Sequence, residues 1–173
     1  MRKTTRQRSS SPRVRLVPMS ADEFTTWWQA AIDSYAREKV RAGNWDAADA
    51  PALAEHSYRE LLPQGTATPG NYVCSIINED GDSVGALWFA EGTEGPGRPA
   101  YLYDLVVYEA FRRQGYALSA LQVLEERVCE MGLDRIILHV FGHNRSAQAL
   151  YERAGYIVTN VVMCRTLSPL ETK

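Results

Sequence analysis

The stretch with the clearest chemical potential is LVVYEAFRRQGYALSAL, residues 105–121, which leaves an apolar run, passes Arg112 and Arg113, and enters a helical pattern through Gly115. A helix start presents unpaired amide hydrogens and the positive end of the macrodipole, so this junction can hold a diphosphate through main-chain groups. Gly115 admits close approach of the oxygens, and the two arginines add charge. Neither GxxxxGK followed by Ser or Thr nor GxGxxG occurs in the chain, which excludes the two common nucleotide loops. The pattern RxxGxA is short by itself, and an ordinary helix start with solvated arginines satisfies it equally.

Two neighbours of this stretch also carry chemistry. Asp104 stands among apolar residues in YLYDLVV, where an unsatisfied carboxylate is costly. It reads as a proton acceptor, as the partner of a bound cation, or as half of a structural pair with an arginine. The second neighbour is HVFGHNRSAQALYERAGY, residues 139–156, which sets Asn144, Ala147 and Tyr151 around a strand end and a short helix. His139 falls inside an apolar strand and His143 in a turn, so a core or loop role suits each better than catalysis.

These residues need elements to position them. Residues 13–17 alternate as a first strand, and Ser20 with Glu23 forms a capping box that opens a helix from Ala21 to Ala42. Phe24, Trp27, Trp28, Ala31, Ile32 and Tyr35 make one apolar stripe on it, fit for a core or for an aromatic pocket wall. Gly43 ends this helix, and a second runs from Ala52 to Leu62 and stops at Pro63. Three strands are expected at Tyr72 to Ile77, Ser83 to Ala90 and Ala100 to Val107, separated by NEDGD and EGTEGPGRP, which suit turns between antiparallel neighbours. A helix from Gly115 closes at Gly132, a buried strand follows at residues 135–141, then a short helix over Ser146 to Ala154 and a last strand over residues 157–167. Neither a doubly wound parallel sheet nor an all-β sandwich has this order, so a mixed α/β sheet is implied.

The 173 residues, 45% apolar, fit one domain with a real core, spanning 13–173 behind a basic tail at 1–12. Six of the 19 basic residues and none of the 21 acidic ones fall within residues 1–15, leaving 13 basic against 21 acidic in the remainder. An acidic body disfavours nonspecific nucleic-acid binding and favours cationic ligands. The basic start lacks an apolar h-region, so a solvated tail is expected rather than a secretory signal, and no run reaches the roughly 20 apolar residues of a membrane span. Cys74, Cys129 and Cys164 are scattered and lack metal-ligand spacing, so buried free thiols in a reducing cytoplasm, and no metal, are expected.

Together the two chemical elements strongly resemble the GNAT superfamily of N-acetyltransferases, over roughly residues 72 to 167. Arg112, Gly115 and Ala117 match its cofactor loop; Asn144, followed by an Ala and LYE before GY, matches its second element. The loop commonly has Gly where this chain has Arg113 and Pro where it has Glu109. The resemblance implies a mostly antiparallel sheet with splayed fourth and fifth strands, flanked by helices, and acetyl-CoA as cosubstrate. Main-chain groups of Leu105, Val106 and Val107 would pair with pantetheine as an added strand, the amides across Arg113, Gln114, Gly115, Tyr116, Ala117 and Leu118 would hold the diphosphate, and Asn144 would meet the pantetheine or acetyl end. Tyr151 would protonate the departing thiolate, with Asp104 or water as the base. The acceptor pocket would draw on Trp27, Trp28, Tyr35, Trp88, Tyr101 and Tyr103. A small-molecule amine is the expected acceptor, with a peptide N-acetyltransferase or a noncatalytic acyl-CoA sensor as the alternatives. The resemblance also allows a homodimer in which the C-terminal strand exchanges or pairs.

Overall fold

The computed structural model describes residues 12–92, 97–165 and 167. Residues 1–11 of the basic tail read at 1–12 and the centre of the EGTEGPGRP separator lie outside the described residues. Strand β1 (Val14–Pro18) leads to Ser20, whose hydroxyl accepts from the Glu23 amide while the Glu23 carboxylate accepts from the Ser20 amide. This capping box opens α1 (Ala21–Arg41), and amides of Gly43 and Asn44 folded back onto Val40 and Lys39 close it. Helix α2 (Ala50–Leu61) begins two residues earlier than its expected start, because Pro51 belongs to its first turn, where a missing N–H costs nothing.

Strands β2 (Asn71–Asn78), β3 (Ser83–Glu91) and β4 (Pro99–Val107) form an antiparallel meander with β1 on its outer side. Helix α3 (Tyr116–Glu130) crosses over so that β5 (Arg135–Leu138) adds parallel to β4, giving the order β1-β2-β3-β4-β5. Helix α4 (Arg145–Arg153) follows. The expected mixed sheet is the one observed.

The sheet separates two cores. On one face Val84, Leu87 and Phe89 meet Leu121, Leu124 and Val128 of α3; on the other Ala86 and Trp88 meet Trp27, Ile32, Ala54 and Tyr58 of α1 and α2. A bulge at Val84, opposite the Ile76–Ile77 step, puts Val84 on the same face as Leu87 despite its opposite parity.

Three expectations fail at the C-terminal side. The strand expected at 135–141 ends at Leu138, and none of its four residues is buried, since it lies at the sheet edge with only β4 beside it. Among described residues of the expected last strand, 157–165 form no strand, because no sheet edge lies alongside them. Of the three thiols only Cys74, inside β2, is buried; Cys129 and Cys164 are exposed. No described helix is long and apolar enough to cross a membrane.

Candidate active site

The site begins where β4 and β5 part. β5 pairs with Pro99–Leu102 only, so Asp104, Leu105, Val106 and Val107 extend past the end of that ladder. The cause is local: across β3, Trp88 opposes Asp104 while Phe89 opposes Leu102, which leaves Tyr103 as an extra residue in β4. Such a bulge bends the strand and sharpens its twist, turning β4 away from a neighbour that runs straight. Gly85 on β3 makes room for the bent end, because a Cβ there would stand 2.2 Å from the Val106 carbonyl oxygen. A break in periodicity at Asp104 is the only trace of the bulge in the sequence.

Beyond Val107 a 3-10 turn over Glu109–Phe111 leads to the start of α3. The Arg112 Nε donates to the Val107 carbonyl at 3.1 Å, and the Gln114 amide donates to the Ala110 carbonyl at 3.2 Å, so both side chains brace the loop. Arg113 sits at φ 62°, the only described non-glycine residue at positive φ, and Gly115 follows at φ 94° as the α3 N-cap. A left-handed residue next to an ordinary one is the unit from which an anion nest is built, and this pair of left-handed residues is continuous with a helix N-terminus. Arg112, Arg113, Gln114 and Gly115 are all exposed, while Tyr116, Ala117 and Leu118 are half-buried in the first turn.

On the open side of the splay, the Trp27 indole N–H donates to the Asp104 carboxylate at 2.9 Å. The structural partner of this acid is thus an indole and not an arginine. Burial raises the Asp104 pKa, opposed by the bonds from Trp27 and from the Leu105 amide. Tyr151, on α4, is pushed up to about 12, first by burial and then by the negative charge of Asp104, so the two groups share one electrostatic environment. The Asn144 side-chain oxygen caps α4, accepting from the Ala147 amide at 3.1 Å and from the Ser146 hydroxyl at 3.0 Å. The side-chain NH2 is its remaining donor.

His139 lies past the end of β5 and is exposed rather than buried, with its ring edge-on to Phe141 at 5.0 Å. Desolvation, and after it the charge of Lys39, lowers its pKa. His143 stacks on Phe141 and bonds through Nε2 to the Glu38 carboxylate at 2.5 Å. This contact spans 105 positions and ties α1 to the turn before α4; no local pattern announces it.

The aromatic residues divide. Trp27 and Trp88 are core residues, 4% and 1% exposed, with their N–H groups bonded to Asp104 and to Asn71. Trp28 lines a separate cleft of about 430 Å3 with Phe24, Arg59 and Leu62. Tyr103 is 38% exposed and stacks on Trp88 at 4.4 Å, next to Tyr101 at 4.6 Å. Tyr35 completes this wall edge-on to Trp45, and the Lys39 ammonium lies 5.2 Å from both of those rings.

The chain has counterparts among known proteins. The acetyltransferase (GNAT) family matches residues 27–156. The uncharacterized N-acetyltransferase YycN of Bacillus subtilis (strain 168) is 39% identical over 154 residues, covering 89% of this chain and 99% of that protein. YdgE of the same organism, also an uncharacterized N-acetyltransferase, is 35% identical over 88% of this chain and 97% of its own length. The crystal structure of YycN, described as a putative acetyltransferase, superposes with a TM-score of 0.86 over 90% of this chain and 99% of that one.

Proposed function

Because the chain belongs to the GNAT acetyltransferase family, we propose that it moves the acetyl group of acetyl-CoA directly onto a primary amine, and that the acceptor is a small molecule. The observation that carries this reading is the departure of β5 from β4 after Leu102, which leaves the main chain of residues 104–107 at a sheet edge beside a helix N-terminus. An extended amide-bearing arm suits such an edge, and a diphosphate suits the turn at Arg113 and Gly115 that follows it.

The residues around this edge fit the transfer. The acceptor amine must lose a proton before it attacks the thioester; the tetrahedral species then collapses, and the sulfur leaves as a thiolate that takes up a proton. Tyr151, whose hydroxyl stays protonated through the neutral range, suits the acid. Asp104, with its raised pKa, suits the base or the binding of the incoming ammonium. An amide near Val106 or Val107 suits the oxyanion. Tyr35, Tyr101 and Tyr103 offer faces on which a cation is stabilised, and Lys39 already rests its ammonium against the Tyr35 and Trp45 rings.

The test is calorimetric titration with acetyl-CoA, followed by thiol release over a panel of small amines, aminoglycosides and peptides. Micromolar binding that is lost in Gly115→Glu, whose side chain would enter the turn and meet Pro12, together with release on a small amine, is the expected result. Binding without release on any acceptor would favour a sensor, release on peptides alone would move the acceptor class, and absence of binding would overturn the reading.

A further inference from the structure

The wall of rings beside the splay carries opposite charges at its two ends. At one end stands Asp104, next to Tyr103 in β4 and opposite Trp88 in β3. Tyr103 stacks on Trp88 and meets Tyr101 at 4.6 Å. Tyr58 packs on Trp88 at 5.4 Å and on Tyr35 of α1 at 5.8 Å, which carries the row from the sheet to the helix. Burial raises the Tyr58 pKa, and after it the charge of Asp104 and the Tyr35 hydroxyl, so Tyr58 has one neighbour toward each end. At the other end is Lys39, one helical turn after Tyr35, with its ammonium 5.2 Å from the Tyr35 and Trp45 rings. Lys39 also reaches the β5 side of the splay, since after desolvation its charge is what lowers the pKa of His139.

Neither charge is answered by the chain. Among the described residues no carboxylate forms an ion pair with Lys39, and the adjacent Glu38 is taken by His143. The partners of Asp104 are neutral donors, the Trp27 indole and the Leu105 amide. Rings on two sides hold the Lys39 ammonium in place, so a ligand anion meets it at little further cost in ordering. Tyr35 and Tyr58 stand between the two charges and keep them from neutralising each other.

Building on the acetyl-transfer reading of this site, we propose that its acceptor is a carboxylate-bearing amine, with the amine at Asp104, the carboxylate on Lys39 and several bonds of chain between them, as in an ω-amino acid. Such a molecule answers both charges at once. A diamine or polyamine sets its second cation against Lys39 and is rejected on that account.

Steady-state thiol release on matched acceptors tests this, with ε-aminocaproate set against hexylamine and free lysine against cadaverine. In the wild-type protein kcat/KM is expected to be about tenfold or more higher for the carboxylate-bearing member of each pair, mainly through KM, the scale of one charge-assisted contact. Lys39→Gln should bring both ratios to about one, and Lys39→Arg, which keeps the charge, should retain the preference. A wild-type ratio of about one or below would overturn the inference while leaving acetyl transfer itself standing. So would a Lys39→Gln variant that slows both members of a pair alike, because it would make Lys39 a brace for Trp45. Absence of acetyl-CoA binding by calorimetry, or binding without thiol release on any acceptor, would overturn the transfer reading and this inference with it.

Discussion

Tyr151 and Asp104 form the pair on which the proposed chemistry turns, and each has a distinguishable test. Tyr151 keeps its proton throughout the neutral range because burial and the Asp104 charge both disfavour the phenolate. Tyr151→Phe is expected to lower kcat by about 100-fold or more, the usual scale for a lost general acid, with the acetyl-CoA Kd unchanged by calorimetry. Unchanged turnover would remove the acid role. Asp104 is held above its ordinary 3.8, so the folded state keeps its proton to higher pH than the unfolded chain does. Stability from this residue is therefore greatest below that value and declines as pH rises through the raised pKa. Asp104→Asn keeps an oxygen for the Trp27 N–H and abolishes this slope. Its melting temperature relative to wild type should climb as melts move from about pH 4 to neutrality, while its neutral-pH kcat/KM falls. The residue types here were legible in the sequence; that an indole partners the acid was not, because Trp27 and Asp104 are 77 positions apart.

At the scale of elements, the loop between β4 and α3 carries an unusual residue. Arg113 at φ 62° bears a left-handed backbone that costs a side-chain-bearing residue about 1 kcal/mol, and the family commonly has glycine there. Arg113→Gly removes this strain but gives the unfolded chain more freedom, roughly 0.5–1 kcal/mol in the other direction. Urea denaturation should therefore place the two proteins within about 1 kcal/mol. Acetyl-CoA affinity should fall by less than tenfold, as for one exposed charge. A large loss of stability would show that the guanidinium holds the loop as Arg112 does. The helices were the most legible elements, because their ends depend on nearby residues, as in the Ser20–Glu23 box. Of the bulge at Tyr103 only the break in periodicity at Asp104 was legible, since its place depends on how β3 and β4 register.

Over the whole molecule, the Glu38–His143 contact is a side-chain link between the α1 face and the turn that presents Asn144. Both side chains remain partly exposed, 30% and 22%, so the pair is worth no more than about 1 kcal/mol. In a double-mutant cycle, Glu38→Gln and His143→Gln should each cost that much or less, and the double variant no more than the larger single cost. Full additivity would show that the two side chains act independently. At this scale the sequence by itself determined the order of elements as far as α4, the glycine-bearing turn ahead of α3 and the family, because capping, glycine placement and apolar periodicity are properties of neighbouring residues. Only the tertiary structure decided that β5 stops at Leu138, that Trp27 and Trp88 belong to the core, and that residues 157–165 form no strand. Strand propensity states what a segment can pair with, whereas pairing needs an edge within reach, and that depends on the packing of the whole chain.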